Sequence, residues 1–519
     1  MYQERLCKTG VEIEINWSNK HNCLTLQSSF FESPQGLAVL HRLLVALHLV
    51  FGQAHDSGIR SIGWFLELSH LDRFIAPSYG SQQKVASQVE QLIGRFGQEE
   101  DKRLGQQMTR KNIALCEDET FHPQICLVAI EPVSNFLILE AYAQQRDAAT
   151  WNSSIDLALS SFSVDVIQCV SDEAAALLSH AQSHLGVHHS SDVFHVQYEV
   201  SKATSLALNR QDEKAKEEYE VAKLEHQENL EKRKAFEERW PCSMPELEIE
   251  KELLHVAPEL EKKFQEAKER FEATSNRKQR ARDARCGISK DYHPFDLSTG
   301  VPIESSEVKN RLEGHFKTLH AIVDEAKLSH GADNRIAKAE RVLPSMIATI
   351  AFFWATLKLF LERLECSEEV ALIWKNELVA SFYIARVAGR CQKADESKRL
   401  MDLSTLILVR ARSPDRPFGK LPESLRMAME KQAQQAADVF QRSSSCVEGR
   451  NGQLSLRHHG LRELTASKLR ALRTIHNYVI RRPDGTTAAE RFFENKPRDL
   501  FRWLLEELPM PARPRQKRT

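Results

Sequence analysis

At 519 residues the chain exceeds one ordinary domain, and at about 100–200 residues per domain two to four units are expected. A hydrophobic share of 42% against 28% charged residues is globular composition, and a formal net charge of −1 excludes a whole-molecule attraction to nucleic acid or membrane. Ten cysteines lie scattered without a Cys-x-x-Cys pair or a close Cys/His quartet, behind a start that is not signal-like. They read as reduced, mostly buried thiols of a cytoplasmic protein.

Residues 1–32 are mixed and carry no clear signal. Residues 36–51 are apolar at helical spacing and predict a core helix. Residues 59–71 form another amphipathic segment, and the turn Ala76-Pro-Ser-Tyr-Gly80 leads to Ser81, an N-cap for a helix to about residue 93. Over residues 57–96 a helix-turn-helix is one expectation, with Gln82, Gln83, Lys84, Ser87 and Gln88 on its exposed face. An ordinary helical hairpin is the other.

Next comes a sheet unit. Asn112-Ile-Ala-Leu-Cys116 is a short strand ending in Glu117-Asp118-Glu119-Thr120, residues 125–130 are a second, and residues 136–142 return as a third after the turn Pro132-Val-Ser-Asn135. Residues 149–160 have helical spacing, and residues 164–170 make a fourth strand ending at Ser171-Asp-Glu173. The order βββαβ lets the first and fourth strands lie side by side and brings Asp118 towards Asp172. Residues 174–185 read as helix, and Asp192-Val-Phe-His195 as a further short strand with His195 a structural histidine.

From residue 199 the chain stays helical for most of 240 residues. Ala215, Tyr219, Ala222, His226 and Asn229 form a weak seam, and Leu253, Ala257, Leu260, Phe264, Ala267 and Phe271 a better one, so an antiparallel coiled-coil hairpin is expected around the break Trp240-Pro-Cys-Ser-Met-Pro245. Pro258 is placed in the first turn of the second helix. The run Arg277-Lys-Gln-Arg-Ala-Arg282 with Arg285 is a solvated face that can touch phosphates. Residues 286–306 read as a loop. The apolar run at residues 342–357 is short for a membrane span and fits a buried core helix.

A second informative stretch, Ser444-Ser-Cys-Val-Glu-Gly-Arg-Asn-Gly452, reads as a turn in which Gly449 and Gly452 allow close approach around Glu448, with Arg450 and Asn451 open to DNA contact. From Arg450 to Arg482 eight Lys/Arg (Arg450, Arg457, Arg462, Lys468, Arg470, Arg473, Arg481, Arg482) face one acid, Glu463. The tail Arg513-Pro-Arg-Gln-Lys-Arg518 is basic and suits nonspecific phosphate contact.

Phosphodiester chemistry with two hard cations needs two or three carboxylates, because Mg²⁺ takes oxygen ligands and keeps several waters. Asp118 fits a bridging ligand, Asp172 the second and Glu448 the third, with Glu117, Glu119 and Glu173 as competitors. Three close carboxylates raise one another's pKa until cations bind.

The βββαβ order with Asp118 after the first strand, Asp172 after the fourth and a later Glu448 resembles the RNase H-like core of DDE transposases of bacterial insertion sequences. Asp118-Glu-Thr is similar to the first-acid motif of several such families. Ser171-Asp-Glu, Asp192-Val-Phe-His195, the Glu448 stretch and Asp484-Gly-Thr-Thr-Ala-Ala-Glu-Arg-Phe-Phe493 resemble a less characterised transposase-like group, over residues 36–510. The resemblance implies a fold of mixed α/β plus all-α class: an RNase H-like sheet interrupted by a large helical, partly coiled-coil insertion, behind a helical N-terminal region. The units expected are 1–106, 107–199 (first part of the core), 200–440 (insertion), 441–508 (core completion with the catalytic Glu) and a basic tail at 509–519. The spacing of 172 − 118 = 54 and 448 − 172 = 276 residues is what such an insertion produces. It further implies a cytoplasmic enzyme that uses two Mg²⁺ or Mn²⁺ ions on Asp118, Asp172 and Glu448. That enzyme cleaves transposon ends and joins them to target DNA, as a homodimer or larger assembly with no membrane partner. A catalytically silent DNA-binding remnant and a nuclease without strand transfer are the alternatives.

Overall fold

The structure, a computed structural model, describes residues 30–514 apart from 56, 122–123, 239–243 and 461–463. The first 29 residues, most of the break at 240–245, Arg462, Glu463 and the tail beyond residue 514 lie outside the described residues.

Five strands form one mixed sheet: β1 (Lys111–Phe121), β2 (Ile125–Glu131), β3 (Phe136–Ala143), β4 (Val164–Ser171) and β5 (His188–Ser191), in the order β3-β2-β1-β4-β5. The first three make an antiparallel meander, and β1 runs parallel to β4, β4 parallel to β5. Parallel neighbours need a crossover. The helix Ala148–Leu159, capped by Asp147 accepting from the Thr150 amide, supplies the first. β1 runs past the expected Cys116 to Phe121, so Asp118 sits inside the strand opposite Val128. Pairing with β4 ends at Cys116 and Val170, which leaves Asp118 just beyond that edge.

Asp192-Val-Phe-His195 is not a strand. β5 stops at Ser191, and Asp192 starts the helix Val193–Glu237 by accepting the Phe194 amide at 2.8 Å, a capping role its short carboxylate suits. That helix and Met244–Asp291 form the antiparallel hairpin: Tyr219 stacks on Phe271, His226 on Phe264, and Asn229 donates to the Leu253 carbonyl. Pro258 lies within the second helix, not in its first turn. The helix also persists to Asp291, which shortens the expected loop. Lys278 and Arg280 of the basic run are tied to Asp212 and Glu325.

The larger of two main cores is all-helical, built on Phe316, Met346, Phe353, Trp374, Tyr383 and Phe440. The sheet core includes Val89, Phe96, Leu115, Phe136, Trp151 and Phe492. By length and composition Pro34–Ala54 and His330–Glu362 could each cross a bilayer. In the second, Met346, Ile350, Phe353 and Leu357 are fully buried at helical spacing in the helical core. The seven described cysteines carry no disulfide.

Near the N-terminus, helices Ile59–Leu68 and Tyr79–Gln107 are joined through a short 3₁₀ turn. Gln82, expected outside, is fully buried, donates to the Ala76 carbonyl and bonds the buried His48. The second helix runs 29 residues and packs along Ala466–Tyr478, where Tyr478 and Arg473 both bond its buried Asp101.

Candidate active site

The helical excursion is closed at its base. The Val193 amide donates to the Arg442 carbonyl at 3.1 Å, Ser444 Oγ donates to Asp192 Oδ2 at 2.5 Å, and Gln168 on β4 donates to the Gln441 carbonyl at 2.9 Å. The chain therefore leaves and re-enters the sheet region at one place. Separation in sequence is no obstacle to Glu448 reaching the aspartates.

Glu448 is on a helix, Ser445–Gly460, not in a turn. A side chain added at Gly449 or Gly452 would meet nothing within 4 Å, so neither glycine serves a close approach. Val447, Arg450, Asn451 and Leu454 are the buried face of this helix, at i, i+3, i+4 and i+7. Val447 and Leu454 pack with Cys116, Val128, Ile130 and Val170 on one face of the sheet, each worth about 1.5–3 kcal/mol of burial. With that face down, Glu448 and Asn451 project beside Asp118.

Asn451 Nδ2 donates to Asp118 Oδ2 at 2.8 Å, and the Glu119 amide donates to Oδ1 at 2.8 Å. Asn451 Oδ1 is buried without a hydrogen-bond partner. Burial, with the nearby Glu448 and Asp172 carboxylates, pushes Asp118 up to about 7, against the Glu119 amide and His195. Burial, then the fields of Asp192 and Asp172, raise Glu448 as well, although it sits in a helix's first turn where the backbone dipoles favour a negative charge. His195 Nε2 lies 3.7 Å from Glu448 Oε1. The structure thus brings Asp118, Asp172 and Glu448 into mutual electrostatic reach. Among the described residues no three acid, histidine or cysteine side chains converge closely enough to hold an ion as they stand.

Asp172 follows β4 and accepts the Ala174 amide at 3.1 Å, the turn-capping geometry of an acid at a strand end. It lines a cavity of about 390 Å³ with Asp192, His195, Tyr198, Glu199 and Lys338. Beside it, Ser171 Oγ bonds His189 Nε2, and burial drives His189 down to about 4, so the ring is neutral at pH 7.

Each competing acid has a neighbour of its own, although Glu173 lines the Asp172 cavity as well. Glu117 points to the opposite face, fully buried 3.3 Å from His180; Glu119 accepts from Trp151 Nε1; Glu173 accepts from Ser191 Oγ. Arg450, expected to be open to DNA, is buried in a bidentate pair with Glu140 of β3, at 2.6 and 2.7 Å. Much of the basic segment is likewise spent internally: Arg457 and Lys468 bond carbonyls at residues 52–54, and Arg473 bonds Leu137 and Asp101.

Residues 374–519 match the family of unknown function DUF6399. The matched segment holds Glu448 and Asn451 but neither aspartate. No curated protein and no solved structure matches the chain.

The sequence reads His195 as structural and Asn451 as a DNA contact, whereas the structure sets both beside the carboxylates. The usable signal was spacing: Asn451 is i+3 from Glu448, one turn along on the same helical face.

Proposed function

We propose that the chain is a DDE-type transposase with an RNase H-like core, cleaving DNA at element ends and joining the freed ends to target DNA. The observation that carries this reading is that carboxylates from β1, the end of its parallel neighbour β4 and a helix 276 residues further on lie within electrostatic reach of one another. The strand order β3-β2-β1-β4-β5, with its antiparallel meander and parallel β1–β4 pair, supports the RNase H-like assignment.

The donor set suits a hard divalent cation. It is all oxygen, burial and then neighbouring carboxylates raise Asp118 and Glu448, and Asn451 adds a buried carbonyl oxygen with no partner. Asp118, Asp172 and Glu448 would hold two Mg²⁺ or Mn²⁺ ions after side-chain rotations. When bound, such ions activate the attacking oxygen and stabilise the leaving one. The chain's own part is positional: Asn451 fixes one oxygen of Asp118, the Glu119 amide the other, and the anchored 445–460 helix sets Glu448 against them. Each transfer forms one phosphorus–oxygen bond and breaks another, first with water attacking and then with the freed 3′ hydroxyl. The same reading places the protein in the cytoplasm, on DNA, as a homodimer or larger assembly.

The test is cleavage and strand transfer on DNA carrying the flanking ends of its own element, with Mg²⁺ or Mn²⁺, comparing wild type with Asp118→Ala, Asp172→Ala and Glu448→Ala. Metal-dependent activity lost in all three is expected. Activity retained by any one variant removes that residue from the site, and binding of the ends without cutting by wild type sinks the catalytic reading.

A further inference from the structure

In the helical region, between its 286–297 and 383–400 segments and the 440–442 return, lies a cleft of about 480 Å³ whose lining includes Lys290, Arg386, Arg390, Lys393 and Arg442. Glu396 is the acid in that lining, and Arg399 already holds it through two hydrogen bonds. Asp438 takes Arg386 at 2.5 Å. Among the described residues no carboxylate pairs with Lys290, Arg390, Lys393 or Arg442.

The two arginines are anchored without being neutralised. Arg442 donates to the Ser289 carbonyl, Ser289 Oγ and the Tyr292 carbonyl. Arg390 donates to Gln441 Oε1 and the Pro132 carbonyl. Such neutral acceptors fix a guanidinium's direction but leave its charge in place. Burial lowers both pKa values, with Arg386 adding repulsion at Arg390. His293, buried behind them and bonded to the Tyr383 hydroxyl, is held neutral first by burial and then by Arg442 and Arg386. Asp192 and Asp438 act on Arg442 and Arg390 only at longer range; partly desolvated positive charge with no carboxylate in contact is costly, and an anion entering the cleft would relieve it. A second hollow of about 580 Å³ shares Arg386 and Arg390 and adds Arg482, so the cationic surface continues past the β2–β3 turn.

We propose that this cleft is a phosphate-binding site, with Arg390, Arg442, Lys290 and Lys393 as the groups that meet the anion. Guanidinium groups offer paired donors that match phosphate oxygens, and exposed lysines at the rim add point charge. The phosphate can belong to a DNA backbone or to a small free phosphate compound. The site does not depend on the carboxylate chemistry.

Calorimetric titration of the full chain separates these cases, using sodium pyrophosphate, a 12-nucleotide single strand without divalent metal, and sodium chloride at matched ionic strength. Wild type, Arg390→Ala, the double variant Lys290→Ala/Lys393→Ala and Asp118→Asn are compared. Lys290 and Lys393 are exposed, so their loss leaves folding intact. A tenfold or larger weakening in both cleft variants, with Asp118→Asn unchanged, is expected. Loss confined to pyrophosphate identifies a free phosphate compound, loss confined to the oligonucleotide identifies backbone phosphates, and loss of both identifies the shared group. Equal affinities of wild type and the double variant for both probes, or no binding of either, overturn the proposal.

Discussion

Asp118, Val128 and Glu140 stand in one row across β1, β2 and β3, on the same face and under the same 445–460 helix. The two acids of that row meet opposite fates. Glu140 receives Arg450 in a buried bidentate pair, whereas Asp118, two strands away, receives Asn451 and the negative charge of Glu448. One turn of one helix therefore supplies a neutralising cation to the first acid and a neutral amide plus a like charge to the second. The first arrangement fixes the helix to the sheet; the second leaves a carboxyl raised first by burial and then by its neighbours' charge. Carboxyls perturbed in this way cluster at functional sites.

The largest effect on this contrast is expected from breaking the satisfied end. Arg450→Met leaves Glu140 buried and unpaired and should cost about 3–5 kcal/mol in chemical denaturation, whereas Glu140→Leu combined with Arg450→Met should recover most of it. If the double variant is as unstable as the single, the pair is not what anchors the helix.

Removing charge at the unsatisfied end should act in the opposite direction. A carboxyl raised to about 7 when folded, against about 3.9 unfolded, opposes folding as pH rises from about 4 to 7, because the unfolded chain releases the proton first. Asp118→Asn should therefore be more stable than wild type at pH 8 by up to about 4 kcal/mol and indistinguishable at pH 4, while being inactive. Denaturation at the two pH values checks both arms. Millimolar Mg²⁺ should stabilise wild type at pH 8 and leave Asp118→Asn unmoved; equal shifts would place the ions elsewhere.

The smallest change is Asn451→Ala, which removes one hydrogen bond to a carboxylate. A loss of about 1.5–3 kcal/mol in the ionised state is expected, read as a further rise of the Asp118 pKa followed by carboxyl NMR. An unchanged titration would reduce Asn451 to packing.

How far the sequence alone leads is clear from this row. The first four strands, the first crossover helix and the hairpin seam were legible, because period-2 and period-3.5 patterns report burial directly, whereas the short β5 was misplaced by a few residues. Asp118 and Asp172 were legible because acids at the ends of apolar runs stand out. Glu448 could be singled out but not its setting: Gly449 and Gly452 read as a turn, yet Val447 and Leu454 bury a helical face that overrides their low propensity. The fate of Arg450 was invisible, since a cation gives no sign of which strand holds its partner. Gln82 misled for the same reason, its amide being satisfied by His48 from another helix.

The closed base of the excursion also has a consequence in time. Asp118 is synthesised 448 − 118 = 330 residues before Glu448, a delay of roughly 16–66 s at about 5–20 residues per second. Until Arg442 and Ser444 emerge to receive Val193 and Asp192, the nascent chain carries two of its three carboxylates with nothing to gather them. Completion of the cluster is thus tied to completion of the helical region, so a product truncated anywhere within that region is left without the third acid.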